Sequence, residues 1–253
     1  MNRIIRMLPA ALLIVVVACV GVSAAKEEAG HWRYSGTAGP AKWGEMKPEF
    51  EACKTGKTQS PINIKEAVAT DLPPIAFAYK PAPLKIIDNG HTIQVNVPPG
   101  SSITIGDKTY ELVQFHFHRP SEEKINGKAA AMVVHLVHRG SDGKLAVVGV
   151  LLKKGKEHPL IATLWSHLPA DKEKEHVVDG VAIDPSALLP ADRGYYTFTG
   201  SLTTPPCTEG VTWYVLKSAT EVSAAQVTRF GKLYRRNARP VQPLNDRVIQ
   251  ATK

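Results

Sequence analysis

Seven short runs limit what this chain can become: "IAFAY" (75–79), "TIQVNV" (92–97), "SITIG" (102–106), "LVQFHFH" (112–118), "AMVVHLVH" (131–138), "LAVVGVLL" (145–152) and "VTWYVLK" (211–217). Runs of this length, apolar or alternating with period two, bury a face of a β-strand and are too short for a stable amphipathic helix. Between and beside them "DNGH", "PPGS", "INGK" and "SDGK" supply the Gly, Pro, Asn and Asp that let strands turn back antiparallel. The sequence therefore predicts a mainly β chain. Helices should be few and peripheral, the best candidates being "HPLIATLWSHL" and "SAAQVTRFGKLYR"; the second opens with Ser223 and Gln226 in capping-box spacing.

One of these runs carries chemistry. In "ELVQFHFHRPSEE" (111–123) alternation puts Leu112, Gln114, His116 and His118 on one face of a strand and Val113, Phe115 and Phe117 on the other. Same-face neighbours lie roughly 6.5–7 Å apart at Cα, a span over which two imidazoles can converge on one ion. An isolated pair of this kind also occurs as a polar outer face or a satisfied interior pair, so a metal reading needs a third ligand. "AMVVHLVH" offers it: Val133, His135 and Val137 share a face, and a hairpin-like return sets His135 against His116 and His118. Three neutral imidazoles suit an open catalytic zinc site. His138 points the other way and reads as a core or surface histidine, as do His31, His158, His167 and His176.

The N-terminus reads as an export signal. Arg3 and Arg6 precede an apolar run from Leu8 to Val20, followed by small residues, with cleavage expected after Ala24. "VVAC", ending at Cys19, resembles a lipobox and keeps a lipid-anchored form open. No later segment is long and apolar enough for stable membrane insertion, and no linker or repeat divides the rest. The expectation is a signal peptide over 1–24 and one domain over 25–253, periplasmic or secreted. In that oxidising setting Cys53 and Cys207 are expected to pair, the alternative being two separate buried thiols. The formal net charge of +8 falls with loss of Arg3 and Arg6. "KKGK" and "RRNAR" lack interleaved aromatic platforms, so no nucleic-acid partner is expected.

"QFHFHRPSE", "HLVH", "NGH", "QSPINI" and "GSLTTPPCTEGVTW" together resemble the α-class carbonic anhydrases in their bacterial exported form, with "HWRYSGTAGPAKW" and "NARPVQPLNDR" in support. The resemblance runs from about His31 to Arg247. It implies a large central twisted, mostly antiparallel sheet with a few short peripheral helices, a Zn2+ cofactor on His116, His118 and His135, and reversible hydration of CO2 to bicarbonate and a proton by a monomer or homodimer. It places Thr203 beside the zinc, its hydroxyl donating to Glu122, and His91 as the proton shuttle on the cavity rim. Val137, Val147, Leu202 and Trp213 become the CO2 wall, Thr204 lines the hydrophilic side, and Gln114 and Tyr34 stand behind the ligands and near the water chain.

Two departures stand out. The family usually carries His directly after the Glu of "SE" and Glu two residues before the third ligand; here those positions hold Glu123 and Val133. Glu123 is therefore expected to take the outer N–H of His135, steadied by Tyr195, or else to point to solvent. Three rivals bear on function. A cupin would need a further His and Asn that "HLVHRG" does not supply, a serine hydrolase would need the missing "GxSxG", and a weak or metal-free binding module of the same fold normally lacks zinc histidines that are present here.

Overall fold

The structure, a computed structural model, describes residues 31–253; the expected signal peptide and the lipobox at Cys19 lie outside them. All seven runs form strands. Ten strands follow one path through a 13-stranded sheet: β1 (Val68–Thr70), β2 (Ala82–Asp88), β3 (Ile93–Asn96), β4 (Lys108–His118), β5 (Met132–Gly140), β6 (Leu145–Lys154), β7 (His176–Ile183), β8 (Tyr195–Ser201), β9 (Glu209–Leu216) and β10 (Gln250–Thr252). Their spatial order is β7-β2-β3-β4-β5-β6-β9-β8-β10-β1. Pairing is mostly antiparallel, as expected. The exceptions are β6 with β9, β6 with Thr220–Val222, and β10 with β1, all parallel. The first two follow from the long excursion between Lys154 and Glu209, which returns the chain by a crossover in place of a hairpin. At the "SDGK" hairpin between β5 and β6, Gly143 takes φ 78°, a conformation that favours glycine.

Alternation sorts the core into two faces. Phe115, Phe117, Val134, Leu136, Val148, Val150, Tyr214 and Leu216 join the larger cluster, which packs under α1 (Pro159–Ser166) and α2 (Ala224–Leu233). Val147, Phe198, Val211, Trp213 and Val215 form a second cluster on the opposite face. Ser223 and Gln226 close the capping box of α2 reciprocally. Among the described residues no helix is long and apolar enough to cross a membrane.

Strand β2 has no clear signal in the sequence because it contains Pro83, which cannot donate to a ladder. The structure accommodates it where the register against edge strand β7 slips between Val177 and Ala182. Cys53 and Cys207 form a disulfide spanning a sequence separation of 154. It ties the short helix Ala52–Thr55 to the "TTPPC" loop after β8.

Candidate active site

The β4–β5 ladder builds the centre. His135 lies opposite His116, and Val133 opposite His118, so the three imidazoles rise from one face of two adjacent strands. One nitrogen from each ring lies within 4.8 Å of those from the other two. The remaining nitrogens are all engaged. His116 Nδ1 meets Gln114 Oε1 at 2.8 Å, His118 Nδ1 meets the Asn237 carbonyl at 2.7 Å, and His135 Nε2 lies 3.2 Å from Glu123 Oε2. Since each partner is an acceptor, each of these nitrogens carries the proton and each inner nitrogen presents a lone pair.

One of those lone pairs meets no hydrogen donor at all. His118 Nε2 is buried with no hydrogen-bond partner, and 3.5 Å away stands Glu122 Oε2, also buried and unpartnered. Two desolvated acceptors facing each other are costly unless a cation lies between or beside them. Three neutral nitrogens with a fourth position left open are a donor set zinc favours, so these residues fit a metal. Burial pushes the His116 imidazole down to about 3 and His118 well below its ordinary value. Burial also acts to lower His135, but the charge and hydrogen bond of Glu123, with Glu122 behind, carry it above its ordinary value.

Glu122 and Glu123 follow β4 on a segment that Ser121 pins, its hydroxyl donating to the Glu123 carbonyl and accepting from the Ala130 N–H. Both carboxylates turn inward, at 2 % and 0 % exposure. Glu122 Oε1 accepts the Arg239 backbone N–H at 2.7 Å. Burial pushes its carboxyl up to about 8, against the pull of His135, the Thr203 hydroxyl and the Arg239 N–H. Thr203 is thus close enough to act on this carboxylate, while Oε2 itself keeps no partner of good hydrogen-bond geometry.

Val147 and Trp213 are buried side by side in the second apolar cluster, with Val137 and Leu202 packed on it and partly open. The Trp213 ring meets His135 edge-on at 4.9 Å. Thr204 stands next to Thr203, also partly exposed. Tyr34 packs against Trp32 and Trp43; burial and the Glu122 charge push its phenol up. His91 sits in the "DNGH" turn, where Asn89 Oδ1 accepts the His91 and Thr92 N–H groups. Its ring stacks on Trp32 at 3.5 Å between centroids, and desolvation, with His31 and Lys172 nearby, pushes it down to about 4.

The profile of the eukaryotic-type carbonic anhydrases matches residues 38–253. The chain belongs to the eukaryotic-type carbonic anhydrase family. It is an enzyme of the α class. It is 44% identical over 240 residues to a carbonic anhydrase of Pectobacterium carotovorum, covering 94% of this chain and 98% of that one. It is 43% identical over 252 residues to one of Neisseria gonorrhoeae, with 98% and 99% covered. An α-carbonic anhydrase from Thermovibrio ammonificans, solved with the inhibitor sulfanilamide, superposes with a TM-score of 0.84 at 42% identity over 87% of this chain and 99% of that one.

Within this carbonic anhydrase one expectation needs correction. Tyr195 does not steady Glu123: its hydroxyl donates to the Pro73 carbonyl at 2.6 Å, and its ring lies in the larger core. Register explains this. On β8, Tyr195 pairs with Leu216 and faces that core, whereas Phe198 pairs with Trp213 and faces the histidines' side. Two residues escaped sequence reasoning. Asn237 and Arg239 lie in "RRNAR", which carries no local sign of burial, yet they are 0% and 2% exposed. The Arg239 guanidinium donates to Gln59 Oε1 and to the carbonyls of Ser60 and Cys53, so a single residue joins Glu122 to the disulfide. The signal available was "NARP" itself, an Arg and an Asn among prolines near the end of a family-like segment.

Proposed function

We propose that the chain hydrates carbon dioxide reversibly to bicarbonate and a proton, with zinc held by His116, His118 and His135. The observation that carries this reading is the set of three inner lone pairs converging beside an unpartnered Glu122 oxygen. When bound, zinc supplies a Lewis acid that brings the ionisation of water into the neutral range, an effect for which carbonic anhydrases are themselves the standard example.

The remaining work belongs to the protein. Gln114, the Asn237 carbonyl and Glu123 hold the three rings by their outer nitrogens, which fixes tautomer and orientation. Glu122, anchored through Oε1 by the Arg239 N–H, accepts a hydrogen bond from the Thr203 hydroxyl, which keeps its proton. Thr203 then has only acceptor capacity left for the nucleophilic oxygen, whose lone pair is thereby aimed at the carbon of CO2. Val137, Val147, Leu202 and Trp213 give that small apolar substrate a wall with no polar grip, and Thr204 and Tyr34 line the wet side. His91 carries the released proton outward. In its stacked position the ring is pushed to about 4, so it must leave Trp32 for water to take up a proton near pH 7. We place this domain at 25–253, exported after loss of 1–24; the disulfide suits an oxidising compartment.

The reading is tested by stopped-flow CO2 hydration of a Thr203→Ala variant of matched zinc content. Its kcat/KM should fall by about 10²-fold or more, the lower range for a positioned acid–base group. An unchanged value would remove Thr203 and Glu122 from the mechanism.

A further inference from the structure

Asn237 has no exposed surface and makes five hydrogen bonds around one point of the fold. Its main-chain N–H donates to the Arg119 carbonyl at 3.1 Å, and its carbonyl accepts His118 Nδ1–H at 2.7 Å. Its side chain does something different. Oδ1 accepts the Arg119 N–H at 2.8 Å, while Nδ2 donates to the Phe117 carbonyl at 2.9 Å and to the His91 carbonyl at 3.1 Å. All the donors and one acceptor of the amide are thus spent inside the protein, a level of satisfaction that a buried carboxamide needs.

The geometry of the "DNGH" turn shows what this achieves. Asn89 Oδ1 bonds within the turn, to the N–H groups of His91 and Thr92, while Asp88 Oδ1 accepts the Gly90 N–H and also the Tyr234 hydroxyl at the end of α2. None of these bonds reaches the histidine cluster. Two side chains tie the turn to the end of β4: the Thr92 hydroxyl, which donates to the Phe117 carbonyl, and Asn237. Among the described residues, Asn237 is the side chain from outside the turn that bonds His91 itself, and its main chain also bonds a ligand histidine.

We propose that Asn237 is the positioning residue that sets the His91 turn at a fixed distance from the histidine cluster. The inference rests on the shuttle reading of His91 and deepens it. A proton passed through a short water chain requires donor and acceptor ends held to within fractions of an ångström, and a displacement of about 1 Å at such a site can cost on the order of 10²-fold. Because the amide fixes the backbone on which the His91 ring pivots, the ring swings from a constant origin. The main-chain bond to His118 is independent of the side chain and persists in any substitution.

The test is a double-mutant cycle between Asn237→Ser and His91→Ala, read as turnover in weak buffer and in imidazole buffer. Asn237→Asp, which keeps the acceptor for the Arg119 N–H, takes its place if the Ser protein does not fold. With His91 present, Asn237→Ser should lower weak-buffer turnover about tenfold, and imidazole should restore most of it. In the His91→Ala background the same substitution should add less than about twofold. Amide hydrogen exchange at His91 and Thr92 should quicken about tenfold in the Ser protein, a readout independent of activity. Equal losses in both backgrounds would make Asn237 a merely structural residue and overturn the proposal. No loss with His91 present would overturn it too. If His91→Ala alone has no effect in weak buffer, the shuttle reading itself fails, and this inference falls with it.

Discussion

Replacing Glu123 by Ala should loosen zinc without unfolding the protein. The carboxylate is fully buried, stands 3.2 Å from His135 Nε2 and is the only charged partner among the three outer nitrogens. Gln114 supplies a neutral amide oxygen and Asn237 a carbonyl. Losing a partner of this kind typically costs about 10–100-fold in metal affinity, or roughly 1.4–2.7 kcal/mol. The larger end is expected here, because truncation leaves a desolvated N–H with nothing to accept it. Glu123→Gln keeps an acceptor but removes the charge, so its loss should be smaller. Val133 is buried on the same face as His135, two residues away, and the double variant Glu123→Ala/Val133→Glu should recover part of the loss by returning a carboxylate to that space. The assay is the rate of zinc transfer to a chelator at fixed pH. If Glu123→Ala releases zinc as slowly as the parent, the carboxylate plays no part in holding His135.

Acid should destabilise the fold partly through His138, which is buried between the Tyr79 hydroxyl and the Ala146 carbonyl and pushed down to about 3. Its folded value is depressed, so the unfolded chain binds the proton first and stability falls as pH drops from about 6.5 toward 3, by up to about 1.4 kcal/mol per pH unit. In urea titrations His138→Gln should flatten that slope; an unchanged slope would place the acid sensitivity elsewhere. Reduction of the Cys53–Cys207 bond should lower stability by up to roughly 5 kcal/mol in the chain-entropy picture, measured as a fall in Tm, while thiol titration of the mature oxidised protein, without residues 1–24, finds no free thiol. Ser223→Ala should cost about 1 kcal/mol by opening the capping box of α2, and an unchanged Tm would contradict that role.

Period-two patterning was enough to find β4 and β5, and the turn signals between them were enough to bring His135 opposite His116. The ligand triad is legible because strands translate spacing into facing. Other parts were less visible. Strand β2 was hidden by a proline that only a register slip can tolerate. Tyr195 was assigned to the wrong face because side-chain direction depends on register with β9, which alternation within one strand does not reveal. The burial of Asn237 and Arg239 depends on contacts with residues more than a hundred positions earlier, such as His118 and Glu122. No local pattern encodes such contacts. Glu123 lies between these cases: its residue type and position suggested a partner for His135, but only the packed loop turns it inward.

One titration bears most directly on the three-histidine centre. Protein stripped of metal by chelator and dialysed should show no CO2 hydration in stopped flow, and activity should rise linearly with added zinc to a plateau at one equivalent per chain. Activity that survives in verified metal-free protein, or that needs an amount of zinc other than one equivalent, would contradict the three-histidine centre.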